Sequence, residues 1–200
     1  MDPNNWLVVG ERIEDLETMI ISTWNDSEFQ RSWWKIERNV EKKITVIKKL
    51  HDSHNDKLKG ISTVWVNSHL YCTGGKNALG ICSNQAMSYN FLEEDWNKAH
   101  DIDIPRSDHV SLSLKISESY VFGGNQEKFA SRFSTTKHGG EEIGFSINNP
   151  QSFGDEVESF ALHFIKKKQH DAVAYFWMPR GEGFNVVQYT FASRRWDLIP

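Results

Sequence analysis

Long hydrophobic runs, basic charge and signal-peptide features are all scarce in this chain of 200 residues. No stretch approaches the 18 apolar residues that a membrane-spanning helix needs, so the sequence predicts no membrane segment. The first residues, MDPNNWLVVGE, lack the basic start and the apolar core of a signal peptide. The net charge of −4 lacks the basic excess that is usual in nucleic-acid-binding proteins. These absences predict a cytoplasmic protein, with the nucleus as the alternative, that binds neither membranes nor nucleic acids.

Cysteine is rare, with only Cys72 and Cys82 in the chain. No Cys-x-x-Cys pair is present, which excludes a zinc ribbon and a thioredoxin-like redox site. Two free thiols in or near strands are typical of a reducing compartment. The spacing also permits a disulfide between them, although nothing in it requires one.

Helix signals are limited to two segments, residues 11–21 (ERIEDLETMII) and residues 154–168 (GDEVESFALHFIKKK). Elsewhere, short aromatic and β-branched runs alternate with Gly, Asn, Asp and Pro. Many short strands between such turns predict an all-β sandwich, barrel or propeller, with one or two short helices. No Pro/Gly/Ser-rich linker interrupts the chain, so residues 1–200 are predicted to form a single domain.

The chain contains two glycine pairs that are 49 residues apart. Gly74 and Gly75 end the strand-like run HLYCT, and Gly123 and Gly124 end the run ESYVF. Glycine pairs occur where the backbone takes positive φ or where another strand passes closely, and we interpret both pairs in this way. The alternative, a phosphate cradle, needs a helix start after the glycines, for which KNALGICSNQ gives only a weak signal.

A second mark supports a repeat of about fifty residues. Tyr89 and Trp96 are seven residues apart, and Tyr189 and Trp196 repeat this spacing 100 residues later. Shifting the frame by fifty residues gives two further, degenerate units, one before residue 60 and one between residues 127 and 170.

The order of these marks resembles the kelch repeat, in which a strand ending in Gly-Gly is followed by Tyr, Trp, Arg and the next Gly-Gly. Here Arg106 and His109, in PRSDH, stand between Trp96 and the second glycine pair. The match is good over about 68–126 and fair over 172–200, where PRGEG at 179–183 replaces the glycine pair. The resemblance implies a β-propeller of four-stranded blades, for which 200 residues provide about four blades.

Kelch propellers usually have more than four blades. The resemblance therefore implies a small ring, an open arc, or an arc completed by a second copy of the chain, and degenerate units leave a different all-β fold open. Residues 1–16 are candidates for closing or flanking the last blade. Trp96 and Trp196 are expected to pack between neighbouring blades. Arg106 is expected to pair with backbone or a carboxylate at a blade edge, and His109 to be a core or edge histidine.

Two aromatic and basic stretches are candidates for binding a protein partner, because Trp, Met, Arg and Phe are typical of interface cores. The candidate residues are Trp177, Met178, Arg180 and Phe184, at the end of a strand and in the loop after it, and Arg31 and Trp34 in RSWWK. Strand alternation sends one of Trp33 and Trp34 inward and the other outward. The outward tryptophan would then lie beside Arg31 and Lys35.

Two polar loops could hold a metal ion if they converged. One contains His51, Asp52, His54 and Asp56, and the other contains His138, Glu141 and Glu142. A polar turn explains each loop equally well. The chain has no G-x-S-x-G or H-E-x-x-H motif, so we predict no catalytic residues, no cofactor and no metal site.

The sequence predicts a non-enzymatic protein–protein interaction module, an adaptor, scaffold or substrate-recognition propeller that binds a protein partner through its inter-strand loops. Rigid blades that hold variable loops on one face suit this role. Two alternatives stay open. One is an enzyme or lectin-like protein with a metal or ligand site at the propeller mouth, and the other is a pathogen-encoded decoy that binds a host protein.

Overall fold

A computed structural model describes residues 6–13, 16–39, 44–53, 55–66, 68–115, 118–124, 130–134, 162–166, 172–180, 183–193 and 195–199. For some of the strand residues in these ranges only the backbone is described. Every regular element in the described ranges is a β-strand. None of the described residues belongs to a helix that is long and apolar enough to cross a membrane.

Fifteen strands lie in the described ranges, and they confirm the predicted all-β class. They are β1 (Trp6–Ile13), β2 (Leu16–Asn25), β3 (Gln30–Asn39), β4 (Ile44–Lys49), β5 (Ser62–Val66), β6 (His69–Thr73), β7 (Ala86–Asn90), β8 (Asp95–Lys98), β9 (His109–Lys115), β10 (Glu118–Gly123), β11 (Ala130–Ser134), β12 (Leu162–Lys166), β13 (Ala172–Arg180), β14 (Gly183–Thr190) and β15 (Arg195–Ile199).

The strands form four antiparallel sheets, in each of which neighbouring strands are consecutive along the chain. The first sheet contains β1–β4, the second β5–β8, the third β9–β11 and the fourth β12–β15. The first strands of the sheets begin at residues 6, 62, 109 and 162. This spacing agrees with the predicted period of about fifty residues.

The helix predicted over residues 11–21 is wrong, because this segment ends β1 and forms the first part of β2. Ten residues of β2 pair one by one with β3, from Leu16 opposite Asn39 to Asn25 opposite Gln30. Residues 162–166 of the second predicted helix form β12, and residues 154–161 and 167–168 lie outside the described residues. Short apolar runs are compatible with both the helical and the strand periodicity, and here the cross-strand pairing selects the strand.

The first and second sheets pack face to face around the largest described core. Ile20 and Trp33 come from the first sheet, Leu50 follows β4, and Leu70, Cys72 and Tyr89 come from the second sheet. Full burial of one such large apolar side chain contributes about 1.5–3 kcal/mol. Alternation places Trp33 inside, at 1% exposure, and leaves Trp34 partly exposed, which confirms that one of the two tryptophans points inward.

The second and third sheets also pack together, through Ala86, Ile102 and Val121, and β5 lies against β9. Aromatic contacts join the third sheet to the fourth. The rings of Phe122 and Tyr189 lie 5.7 Å apart, between centroids, and meet edge to face. Consecutive sheets therefore stack on one another along the chain.

The Tyr and Trp marks occupy the same place in two sheets. Tyr89 on β7 lies directly opposite Trp96 on β8, and Tyr189 on β14 lies directly opposite Trp196 on β15. Tyr89 and Tyr189 are both buried. A sequence spacing of seven residues thus corresponds to one cross-strand pair across a short turn.

The first strand belongs to the first sheet, in which β1 pairs along its length with β2. Residues 6–13 therefore belong to the first sheet, and the flanking of the last unit by residues 1–16 stays a prediction. Cys72 is buried and Cys82 is half-buried, and both are free thiols. This confirms the interpretation without a disulfide.

Candidate functional site

Four connections between strands meet at one end of the first and second sheets, and we call them the loop face. They are residues 26–29, 56–60, 74–85 and 100–108. Lys59 and Lys76 exchange two backbone hydrogen bonds, of 2.9 and 2.7 Å, which join the second connection to the third. The amide of Asp108 donates to the carbonyl oxygen of Gly60 at 2.8 Å, and this bond joins the fourth connection to the second. Backbone pairing therefore joins three of the four connections of the loop face.

Alternating charges run across the loop face. The Lys59 ammonium group lies 2.8 Å from the Asp26 carboxylate, and the Lys76 ammonium group lies 2.8 Å from the Asp108 carboxylate. The hydrogen bond to Asp108 raises the pKa of Lys76 above its ordinary value, although partial burial opposes this shift. Half-exposed pairs of this kind contribute at most about 1 kcal/mol, and they leave these four positions without net charge.

An apolar tip projects from the loop face at residues 77–81. The Asn77 side-chain oxygen accepts hydrogen bonds from the amides of Leu79 and Ile81, both at 3.0 Å. The amide of Gly80 donates to the Asn77 carbonyl oxygen at 2.9 Å. Leu79 is 82% exposed and Ile81 is 60% exposed. One asparagine therefore fixes a tight turn that presents two aliphatic side chains to solvent.

The glycine pairs allow close approach of the backbone to the connection that leads from the second sheet to β9. Gly74 has φ +64°, and a Cβ atom there would lie 2.4 Å from the Arg106 carbonyl oxygen. Gly124 has φ +87°, and a Cβ atom there would lie 2.6 Å from the Ser107 carbonyl oxygen. Gly75 (φ +102°) and Gly123 (φ +71°) also have left-handed backbones. Both conditions that we gave for a glycine pair, positive φ and close approach, are therefore present.

Arg106 is fully buried beside these glycines. Its Nη1 donates to the carbonyl oxygen of Gly123 at 2.8 Å, which confirms the predicted pairing with backbone. Burial lowers the pKa of Arg106, while the nearby Asp103 carboxylate opposes this shift. Arg106 therefore links the loop after the second sheet to the end of β10.

His109 begins β9 and is buried, as predicted for a core or edge histidine. Its Nε2 lies 2.9 Å from the Thr73 hydroxyl at the end of β6. Burial, and secondarily the positive charge of Arg106, lowers the pKa of His109 to about 3. The imidazole is therefore neutral at physiological pH.

Trp96 packs between sheets, as predicted. Its ring centroid lies 5.1 Å from that of Trp33 on the first sheet, and its indole nitrogen donates to the His51 carbonyl oxygen at 3.0 Å. The backbone of Trp196 belongs to β15, and its side chain lies outside the described residues. Packing between sheets by Trp196 thus stays a prediction.

The structure contradicts the surface role of Arg31. Its side chain is 6% exposed, its Nη1 donates to the Ser22 hydroxyl at 2.8 Å, and it lies over the Trp24 ring. Burial lowers the pKa of Arg31 below its ordinary value. Arg31 and Lys35 share the inward face of β3 with Trp33, because residues two apart on a strand point to the same side. The partly exposed Trp34 therefore lies on the opposite face from both cations.

The second partner-binding candidate set lies on a hairpin. Trp177, Met178 and Arg180 belong to β13, and Phe184, near the start of β14, pairs with Pro179. The predicted loop is thus replaced by strand up to Arg180. The side chains of these four candidates lie outside the described residues, and their role in binding stays a prediction.

The polar loop at residues 51–56 contributes to the packing of the first sheet. The Asp56 carboxylate accepts hydrogen bonds from the Trp33 indole nitrogen at 2.9 Å and from the Ser53 hydroxyl at 2.6 Å. Burial raises the pKa of Asp56. Among the described residues no three His, Cys, Asp or Glu side chains form a group that could hold a metal ion. His54 and the loop at 138–142 lie outside these residues.

Sequence reasoning missed the apolar tip of the loop face. Its local signal is the run Asn-Ala-Leu-Gly-Ile at residues 77–81, in which an asparagine precedes a glycine by three positions. Lys59 pairs with Lys76, 17 positions away, and with Asp26, 33 positions away, and Lys76 contacts Asp108, 32 positions away. No sequence pattern reports such contacts.

Comparisons with known proteins identify a likeness of fold. No protein-family description matches the chain, and no curated protein matches it. A solved structure described as "Structure of YjhT" is similar, with a TM-score of 0.67 and 16% sequence identity. The similarity covers 96% of this chain and 64% of that chain. This chain therefore spans less than two thirds of the length of its structural neighbour.

Proposed function

We propose that the protein is a kelch-like β-propeller arc that binds a protein partner through its loop face and carries out no catalysis. Four consecutive antiparallel sheets stacked along the chain support the propeller arrangement, as does the place of β5 against β9. A ring completed by a second copy stays a prediction of the same proposal. So does a cytoplasmic or nuclear location.

The apolar tip carries this proposal. Leu79 and Ile81 expose 82% and 60% of their surfaces, on a turn that Asn77 holds with two hydrogen bonds. Burying such side chains against a partner removes apolar surface from water at about 25 cal/mol per Å². The fixed turn lowers the entropy that binding must overcome. The paired lysines and aspartates around it provide a polar rim.

Photo-crosslinking from single positions tests the proposal. A photoreactive residue at Leu79 is expected to capture a defined protein from cells. The same residue at Leu92 is the matched control, because Leu92 is 85% exposed and lies on the β7–β8 turn, at the other end of β7. Equal capture from both positions, or none from Leu79, would overturn the role of the loop face.

Two sets of substitutions distinguish the candidate surfaces. The changes Leu79→Ser and Ile81→Ser are expected to abolish capture of the same partner without a change in thermal stability. The changes Trp177→Ala and Arg180→Ala test the hairpin of β13 and β14. If capture falls only with these, the partner surface is the hairpin. If the hairpin variants lose stability and keep capture, Trp177 and Arg180 belong to the core.

The enzyme or lectin-like alternative needs the loops at 51–56 and 138–142 to converge. In the first loop, Asp56 and Ser53 are committed to hydrogen bonds that hold the first sheet. Measuring metal in the purified protein tests this alternative directly. A bound metal whose removal by chelator lowers thermal stability would favour it over the binding module.

A further inference from the structure

We propose that strand β4 is a dimerisation edge, on which the β4 strand of a second copy pairs antiparallel to form a continuous eight-stranded sheet. This inference is independent of the loop face, which lies on other connections. It is an alternative to ring completion by a second copy, because it uses the outermost strand of the first sheet. The occupant is a second copy of this chain.

The outer edge of β4 is exposed, and two of its five exposed residues, Val46 and Ile47, are apolar. Among the described strands, β4 has β3 as its one hydrogen-bonded neighbour. All residues from Thr45 to Lys49 are exposed, with Val46 at 52% and Ile47 at 64%. Its sequence, ITVIKK, begins with four β-branched residues. An edge of this kind is a template for another strand.

The hydrogen-bond pattern shows which backbone groups the edge offers. The Leu50 amide donates to the Trp33 carbonyl oxygen at 2.9 Å. Antiparallel pairs alternate between bonded and non-bonded positions, so Val46 and Lys48 direct their backbone groups toward β3. Thr45, Ile47 and Lys49 therefore direct their N–H and C=O groups outward, at three alternate positions along the edge.

These outward groups are self-complementary. A two-fold axis at Ile47 places Ile47 opposite its own copy, Thr45 opposite Lys49, and Val46 opposite Lys48. No lysine then faces a lysine, so the pairing avoids the repulsion of like charges directly opposite each other. The two Ile47 side chains meet on one face at the axis. A symmetric pairing uses both edges completely and closes at two copies.

The charge pattern favours the antiparallel orientation. Lys48 and Lys49 stand at one end of the strand, and the Lys48 ammonium group is held 2.7 Å from the Glu94 carboxylate of its own chain. A parallel pairing of two copies would place Lys48 and Lys49 beside their own copies, where like charges repel. The antiparallel pairing separates them to opposite ends.

Sedimentation velocity over a concentration series tests the association. The protein is expected to convert reversibly from monomer to dimer, with no larger species. Ile47→Lys places two ammonium groups at the axis and is expected to raise the dissociation constant at least about ten-fold. Leu92→Lys adds the same charge at another exposed position and is expected to leave it unchanged.

Cysteine cross-linking tests the register, in a Cys82→Ser background with Cys72 buried. Hydrogen-bonded antiparallel partners have Cα atoms about 5.5 Å apart, within the range of a disulfide. Ile47→Cys is therefore expected to form a covalent dimer on oxidation. Val46→Cys serves as the control, because its copy lies diagonally at about 8 Å, beyond that range.

Several outcomes would overturn the dimer. A protein that stays monomeric across the series, with no cross-linking of Ile47→Cys, contradicts it. So does a dimer that Ile47→Lys leaves intact, since another surface must then hold it. Equal cross-linking from both cysteine positions contradicts the register, and open-ended assembly contradicts the closed pair.

Discussion

The Nη1 group of Arg106 donates a 2.8 Å hydrogen bond to the carbonyl oxygen of Gly123. This contact joins the loop after the second sheet to the last residue of β10 in the third. The carbonyl oxygen of Arg106 in turn accepts a 2.7 Å bond from the Gly75 amide. One arginine therefore connects both glycine pairs, and the two marks that repeat in the sequence meet at one place in the fold.

Arg106→Lys is expected to lower the free energy of unfolding by about 1–3 kcal/mol. The buried carbonyl oxygen of Gly123 loses its donor, and a buried ammonium group costs more to desolvate than a guanidinium group. The control is Arg195→Lys, because the Arg195 side chain is 73% exposed and pairs with Asp197. That change is expected to stay within about 0.5 kcal/mol. Urea unfolding of both variants tests this prediction, and equal losses of unfolding free energy would contradict a special role for Arg106.

Gly74→Ala is expected to destabilise the protein by more than about 2 kcal/mol. The new Cβ atom would meet the Arg106 carbonyl oxygen at 2.4 Å, and the backbone would keep φ +64°. Gly80→Ala separates these two causes, because Gly80 has φ +77° but nothing within 4 Å of its Cβ position. Its backbone cost alone is expected to be about 1 kcal/mol.

Chemical denaturation of the two alanine variants checks this prediction. A loss for Gly74→Ala no larger than that for Gly80→Ala would mean that the close approach to the connection before β9 relaxes freely. The glycine pair would then serve only for its φ angles.

The features that sequence analysis identified correctly depend on residues that are close together along the chain. A glycine pair indicates positive φ angles at its own position, and the Tyr-to-Trp spacing indicates one short hairpin. Both signals therefore lie within the segment whose structure they predict. The inward and outward assignment of Trp33 and Trp34 also follows from strand alternation alone. These signals predicted the class, the period and the places of the marked residues.

The errors concern residues whose partners are distant along the chain. Arg31 looks like a surface cation, yet its side chain contacts Ser22 on β2 and the Leu58 carbonyl oxygen beyond β4. Lys35 is buried and pairs with Glu94, 2.6 Å away in the β7–β8 turn of the second sheet. Residues 11–21 carry apolar positions compatible with a helix, and their pairing between β1 and β2 and between β2 and β3 excludes it. Tertiary contacts of this kind leave no periodic signal.

Glu94 is expected to make stability depend on acid. Hydrogen bonds from Lys35 and then Lys48 lower the pKa of Glu94 to about 2. The unfolded chain takes up the proton near the ordinary value of about 4.3. The stabilisation is therefore complete above that value and is lost as the pH falls through 2. Because Glu94 is 40% exposed, solvent screening limits the contribution to about 1 kcal/mol.

Glu94→Gln provides the measurement. The difference in unfolding free energy between the wild type and this variant is expected to be constant above pH 5 and to shrink steadily between pH 4.3 and 2. Raising the salt concentration to 1 M is expected to shrink it at neutral pH as well. A difference that does not vary with pH would show that the carboxylate charge contributes nothing to the contact between sheets.

His109 is expected to make stability depend on pH in a higher range, which overlaps that of Glu94 only below pH 4.3. Burial, with a smaller effect of Arg106, lowers its pKa to about 3, whereas the unfolded chain protonates near pH 6.5. The unfolded state therefore binds one more proton between these values. The free energy of unfolding is therefore unaffected by the titration of His109 well above pH 6.5, and below pH 6.5 it declines by up to about 1.4 kcal/mol per pH unit.

His109→Gln retains a side-chain nitrogen that can contact the Thr73 hydroxyl and does not titrate. Its unfolding free energy is expected to be lower than that of the wild type at pH 7.5, because an amide fills the site less well than an imidazole. Between pH 6.5 and 5, which lies above the titration of Glu94, the unfolding free energy of the variant is expected to vary less steeply with pH. The difference in slope corresponds to the uptake of up to one proton on unfolding. Identical slopes for the two proteins would mean that the imidazole takes up its proton in the folded state, which would contradict its burial as a neutral group between Thr73 and Arg106.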